Sequence, residues 1–442
     1  MSMVAKSIPN DRMAVLFFVM LVAAAGNTAM QSILPAIGAK LAIPDVWVSL
    51  AFSWSALLWV VTAPRWARQS DQRGRKALMA LGIVGFALSM ALCGLVIWAG
   101  LSGWIGAGLT FILFALCRSL YGGFGSAAPP AVQAYVAART DPAERTQALS
   151  LVSSSFGLGT VIGPAIAPLF ILPFFGLAAP MLVFAIIGVV VLIALRWRLP
   201  DDLPRFDARG DVAPYPGSVS VAAVGDTGSG VDGEAKEDSF AAPELRPALG
   251  WRDSRTQPWL LAGFIGGQAQ AMILGVVGFL ILDRLNLRAT PDAAADPTGV
   301  VLMAGAIASL LAQWGLIPLL KPGPRVAVLG GSALAAVGAM MVGLASDLHA
   351  ITIGFALASL GFGLFRPGFT AGASLAVPRL DQGSVAGMTA SINGSAYIVS
   401  PAIGVLIYGW NPMVAFGLMA LLCAFLVGWG WTALRDPAPM AR

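Results

Sequence analysis

GLGTVIGPAIAP, residues 157–168, sets three glycines and two prolines inside a long apolar run, although both residue types weaken a helix in water. A second stretch answers it: GSAYIVSPAIG, residues 394–404, brings Pro401 against Pro164, each followed by Ala-Ile. Earlier in each part of the chain GFG recurs, at residues 123–125 and 361–363, with Pro129 and Pro367 at the same distance beyond. The two separations, 237 and 238 residues, differ by one, so the matches read as parallel copies of one apolar unit. Repeats with a substrate site between them at the bilayer midplane are an architecture of secondary transporters.

Composition places those units in a membrane. Hydrophobic residues make up 57% of the 442 and charged residues only 11%, which excludes a water-soluble globule. A bilayer core takes roughly 20 apolar residues per helix. On that template twelve spans are expected, near 13–36, 46–64, 77–99, 108–137, 147–170, 178–195, 259–282, 298–320, 326–346, 350–376, 384–409 and 413–434. Lys6 and Arg12 before an apolar stretch, with Ala23-Ala24-Ala25 after it, mimic a cleavable signal. The apolar run continues to Ala36, so it is read instead as the first span. Cys93, Cys117 and Cys423 all fall in spans and imply neither a disulfide framework nor a metal site.

Basic residues resist translocation and set orientation. With both termini cytoplasmic, only Lys40, Arg284 and Arg288 of the 27 Lys and Arg lie outside, and Arg118 and Arg366 lie within spans. The expectation is an integral protein of a bacterial-type inner (cell) membrane with both termini in the cytoplasm. The net charge of +5 then reflects topology and needs no nucleic-acid partner.

Residues 201–257 change character abruptly: they are rich in Gly, Pro, Ser and Asp and lack apolar periodicity. They read as a flexible cytoplasmic tether. The chain is thereby divided into a six-helix bundle over 1–200, the tether over 201–257, and a second six-helix bundle over 258–442.

Within the apolar units, Gly159 and Gly163 stand four apart and allow close helix approach, while Pro164 removes a backbone hydrogen bond. A bending, closely packed helix at the interface between the halves is expected there, repeated around Pro401. ARQSDQRGRK, residues 67–76, is expected to form a loop between the second and third spans. It resembles the signature loop of the major facilitator superfamily, with Asp71, Gly74, Arg75 and Lys76 in the family's places and Ala67, Gln69 and Gln72 departing from it. Arg118-Ser-Leu-Tyr121-Gly122 resembles the family's arginine motif of span four. Gly159-x-x-x-Gly163-Pro164 resembles the antiporter motif of its exporter branches, with Ala167-Pro168 in place of the final glycine pair. The resemblance implies an all-α membrane protein of 12 transmembrane helices in two parallel-repeat bundles, similar to the drug:proton antiporter branch. It also implies that the charged loop acts as a gate, holding the cytoplasmic ends of the halves together in the outward-open state.

The 22 Asp and Glu residues all fall in expected loops, termini or span ends, so no carboxylate sits at midplane. His349, the single histidine, lies in a short outer loop and is read as structural. Two cations are buried instead: Arg118 in span four and Arg366 in span ten must face the bundle interior, because a guanidinium facing lipid is costly. Asn27 and Gln31, on one face of span one, with Gln268, Gln270, Gln313 and Asn393 from the second half, supply polar groups for a central cavity. Trp54, Trp59 and Tyr397 are candidate aromatic walls.

The function read from these features is export of a small organic molecule or drug by alternating access, through proton-coupled antiport. The alternative is an uptake symporter or facilitator for an anionic small solute, using Arg118 and Arg366. An enzyme lacks parts: one histidine, three scattered cysteines and no midplane carboxylate leave no metal or acid–base site. No phosphate-binding G-x-x-x-x-G-K-[ST] loop is present, so ATP-driven pumping is unsupported. Expected partners are a small-molecule substrate, protons and the lipid bilayer, with no cofactor, no metal and a monomeric protein.

Overall fold

The computed structural model describes residues 8–140, 145–200, 250–377 and 382–435. The first part holds α1 (Asn10–Lys40), α2 (Asp45–Arg73), α3 (Arg75–Leu101), α4 (Ala107–Phe124), α5 (Ala128–Arg139), α6 (Arg145–Ile166) and α7 (Ala179–Arg198). The second holds α8 (Gln257–Arg284), α9 (Ala295–Leu310), α10 (Ile317–Leu320), α11 (Pro324–Leu344), α12 (Leu348–Leu375), α13 (Gln382–Trp410) and α14 (Pro412–Ala433). A 3₁₀ turn, Gly125–Ala127, joins α4 to α5 as one span. A π-helical turn, Leu311–Leu316, joins α9 to α10. Among the described residues there is no β-sheet, as befits a chain whose backbone groups must be satisfied inside lipid.

Among the described residues eleven stretches are long and apolar enough to cross a bilayer, and the fifth expected span is met by a shorter apolar piece, Ser154–Phe170. The expected tether lies, over 201–249, outside the described residues.

The sequence repeat reappears as a packing repeat. In the first part α1 packs on α6, α3 on α7 and α4, and α2 on α4. In the second, α8 packs on α13, α11 on α14 and α12, and α9 on α12. The most enclosed spans are α1 and α8, each with 67% of its best apolar window buried, which makes them the central helices of their bundles. Between the two parts, α2 lies against α13, α6 against α9, and α1 against α8 and α9. These contacts form the seam.

Packing in a membrane rests on close approach and interhelical hydrogen bonds, because lipid tails are as apolar as the side chains. The α1–α6 pair shows how the sequence supplies both. A side chain at Gly159 would meet the Leu21 carbonyl and the Ala24 methyl, and one at Gly163 would meet the Ala25 carbonyl and the Thr28 hydroxyl. The Thr28 hydroxyl donates most closely to the Ala24 carbonyl of its own helix, at 3.0 Å, and also stands 3.4 Å from the Gly159 carbonyl across the pair. The glycine pair is thus spent inside the first bundle, against its own central helix. The seam is reached one turn later, where Pro168 and the Pro164 carbonyl flank Gly299 of α9.

The two prolines differ in setting. Pro164 lies in the last turn of α6, before the 3₁₀ turn Ala167–Phe170, whereas Pro401 lies inside α13, which runs on to Trp410. Both are buried. Helix starts at one face are fixed by local side chains: Asp347 Oδ1 accepts from the His349 and Ala350 amides at 2.9 and 3.0 Å. Asn411 does the same for Met413 and Val414 at 2.9 and 3.2 Å.

Candidate functional site

Arg118 sits on α4 and is buried, with 1% of its surface exposed. Its Nη2 donates to Asn27 Oδ1 of α1 at 2.6 Å. The guanidinium lies 5.5 Å from the Phe52 ring centroid and 5.1 Å from that of Tyr121, a cation–π setting from α2 and from its own helix. Nε and Nη1 are buried without a hydrogen-bond partner. Tyr121 is pinned by its hydroxyl, which donates to the Ala23 carbonyl at 3.2 Å, and by Trp59, whose ring stands 5.2 Å away.

The second bundle holds a matching pair nearer the other end of its helices. Arg366 Nε of α12 donates to Asn393 Oδ1 of α13 at 3.1 Å. The next residue, Gly394, lies at the seam, where an added Cβ would stand 3.2 Å from Val60 of α2. Gln268 of α8 accepts a hydrogen bond from Ser400 of α13. Asn27, Gln31, Gln268, Arg366 and Asn393 are all half-buried. Gln31 lies on the stretch of α1 that crosses α8, where Pro35 packs on Gly278. The structure therefore joins the candidate residues in three pairs, Arg118 with Asn27, Arg366 with Asn393 and Gln268 with Ser400, and gives Gln31 a place at the seam. Gln313 is exposed in the π-helical turn, and Trp54 is exposed and donates to Ser119 Oγ at 2.8 Å.

The charged stretch 67–76 is not a loop. Helix α2 continues through Arg73, α3 begins at Arg75, and the single residue between them, Gly74, turns the chain at φ +88°. Only glycine adopts that backbone conformation without strain. Asp71 therefore lies in the last turn of α2; its side chain is outside the described residues. Lys76 Nζ donates to the carbonyls of Arg196 and Leu199, at 3.1 and 2.6 Å, and so covers the free carbonyl end of α7 in the same bundle. Arg325 at the start of α11 does the equivalent for α14, donating to the Trp431 carbonyl at 2.5 Å and lying over its ring. These anchors tie the ends of each bundle together internally. Arg75 is only partly buried beside them.

At the opposite, distal face the bundles are joined by charge. Lys40 Nζ lies 2.6 Å from Asp292 Oδ2. Arg288 grips Asp45 with Nη2 at 2.6 Å and Nη1 at 3.2 Å, and also bonds Asp283. The Tyr408 hydroxyl completes the group by donating to Asp283 at 2.7 Å. The bonds to Asp283 and then to Asp45 push the Arg288 guanidinium above its ordinary range, so it stays charged. Sequence reading placed Lys40 and Arg288 on this side but missed their partners. Their rarity on a face otherwise poor in positive charge was the available signal.

Comparison with known proteins accords with this geometry. The sequence pattern of the Major Facilitator Superfamily matches residues 16–401. Multidrug resistance protein 2 of Bacillus subtilis is 24% identical over 381 residues, covering 85% of this chain and 83% of that protein. The probable actinorhodin transporter of Streptomyces coelicolor is 25% identical over 421 residues, covering 87% and 69%. In fold, the chain is similar to the crystal structure of a bacterial homolog of the human lysosomal transporter Spinster in an inward-facing, unoccupied conformation. That match has a TM-score of 0.70 and 14% identity over 98% of this chain and 100% of the other. A pattern spanning most of the chain, on a helical membrane fold with repeated bundles, makes this protein a member of the major facilitator superfamily, an integral-membrane transporter of small molecules and not an enzyme.

Proposed function

We propose that the protein exports a small organic molecule from the cytoplasm of a bacterial-type cell by alternating access, in exchange for protons. The observation that supports the alternating-access reading is the charged fastening of the seam at the distal face, where ion pairs cross between the bundles from Lys40 to Asp292 and from Arg288 to Asp45. Such a molecule is closed toward the distal side, taken as the outside of the cell, with its termini in the cytoplasm. Breaking the distal pairs and drawing together the ends that carry Asp71, Gly74, Arg75 and Lys76 gives the opposite state. Gly159, Gly163, Pro164 and Pro401 shape the helices that accommodate the change. Residues 201–257 act as the tether between bundles 1–200 and 258–442, and the protein works as a monomer. The direction of transport is supported by the antiporter-like stretch at Gly163-Pro164 and by the relatives named for multidrug resistance and actinorhodin.

Purified protein in vesicles with an imposed pH gradient tests this reading. Drug or metabolite movement that follows the gradient is expected, and it should fall on substitution of Asp71. An uptake symporter would run the other way, and a facilitator would ignore the gradient.

A further inference from the structure

Asn27, Asn393 and Gln268 are half-buried, and for the two asparagines the hydrogen bond to an arginine fixes which end of the amide is engaged. A guanidinium has five N–H donors and no acceptor, so the group it meets on an asparagine must be the carbonyl oxygen. Asn27 therefore turns Oδ1 to Arg118, and Asn393 turns Oδ1 to Arg366. The NH₂ group of each is thereby directed away from its arginine. Gln268 has its Oε1 engaged by Ser400 in the same sense.

Behind these amides stand two cations. Arg118 uses one nitrogen on Asn27 and leaves Nε and Nη1 unmatched in a site with 1% exposure, where ring faces offset only part of the cost of burial. The acidic side chains that the structure describes, Asp11, Asp45, Asp253, Asp283, Asp292, Asp296 and Asp347, all lie at or beside helix ends, and none pairs with either arginine. Asn27 and Asn393 are carried by α1 and α13, both seam helices. Donors and positive charge are thus supplied from both bundles, while the oxygens of Asn27, Asn393 and Gln268 are consumed internally.

We infer that the cargo is an organic anion, a molecule bearing a carboxylate or comparably charged oxygen, bound by the Asn27 and Asn393 amides with Arg118 and Arg366 behind them. This rests on reading the seam between the bundles as the substrate site. A lipophilic cation meets two like charges there, so this chain selects against the positively charged amphiphiles that an acidic cavity would take.

The test uses purified full-length protein and matched sets of aromatic carboxylates, amines and neutral amides of one ring system, read by thermal stabilisation and titration. Carboxylates should bind at least about 10-fold more tightly than the amines, since each charge-assisted hydrogen bond is individually strong. Asn27→Asp and Asn393→Asp, which place an acceptor and a negative charge against each arginine, should weaken carboxylate binding about 10-fold or more. Arg366→Gln should do the same. Arg118→Gln is the variant at risk of misfolding, and the two aspartate variants carry the test without it. Stabilisation by amines in place of carboxylates, by no set at all, or by carboxylates equally well in the aspartate variants overturns the inference. Vesicle transport of the bound carboxylate then separates the two claims: binding without gradient-driven movement leaves the anion site standing and removes the antiport reading.

Discussion

Arg288, in the segment after α8, holds the Asp45 carboxylate at the start of α2 by two prongs, and so fastens one bundle to the other at a single face. Both side chains are partly solvated, with 44% and 19% exposure, so the pair is a modest fastening. An exposed pair is worth about 0.2–1 kcal/mol. Arg288→Gln should therefore raise the distal-open population by about fivefold at most. A cysteine placed at Ile43 and labelled with a membrane-impermeant maleimide reads that population. Arg288→Lys keeps the charge but loses the fork, and should fall between parent and Arg288→Gln. Unchanged labelling in Arg288→Gln would show that the pair does not hold the face closed.

The pH dependence of this fastening has a definite sign. The Arg288 cation is stabilised in the folded protein, so its contribution is present at neutral and mildly alkaline pH and is lost on the alkaline side only above its ordinary range. Maleimide labelling at Ile43 should accordingly not rise between pH 7 and about pH 9.5 once corrected for reagent reactivity.

Gly163 faces a carbonyl of α1, so Gly163→Val forces α1 and α6 apart. Overpacking of this kind costs about 1–3 kcal/mol. The melting temperature of the purified protein should drop, whereas Gly157→Ala, whose added methyl meets nothing within 4 Å, should melt as the parent does. Equal melting of Gly163→Val and parent would remove the close-approach account.

Among the described residues Asn27 is the one hydrogen-bond partner of the buried Arg118 guanidinium. Asn27→Leu should cost roughly 1.5–3 kcal/mol, seen as lost folded yield. Asn27→Asp should recover that yield, because a carboxylate satisfies the arginine better than an amide does. Recovery of fold without recovery of anion binding is the combination expected of this variant.

Gly74→Ala should destabilise the protein by about 1–2 kcal/mol, because the backbone there occupies the left-handed half of conformational space. Lys76→Met removes a helix-end charge interaction and should cost about 0.3–1 kcal/mol. Thermal unfolding measures both, and a Gly74→Ala variant as stable as the parent would contradict the backbone geometry.

Much of this architecture is legible in the residues. Apolar span lengths and the offset between Pro164 and Pro401 encode the membrane fold and its repeat, since both depend on composition and order alone. The cations Arg118 and Arg366 were visible because charge is so scarce in the spans. What stayed hidden depends on rotation about helix axes: that Gly159 and Gly163 face α1 inside their own bundle, and that each arginine finds an asparagine. The stretch 67–76 misled because its charges suggest a solvated loop, whereas one glycine suffices to reverse the chain. Lys40 with Asp292 and Arg288 with Asp45 bring together residues hundreds of positions apart, which no local pattern encodes.

Gly74 has a mechanical consequence. Helix α2 starts at Asp45 beside Arg288, lies along α13 midway, and at its far end passes through that single glycine into α3, whose Lys76 grips the end of α7. With so little slack at its tail, a tilt of α2 begun where Asp45 lets go is expected to draw α3 along with it on the other side of the bilayer, softened only by Pro64 within the rod.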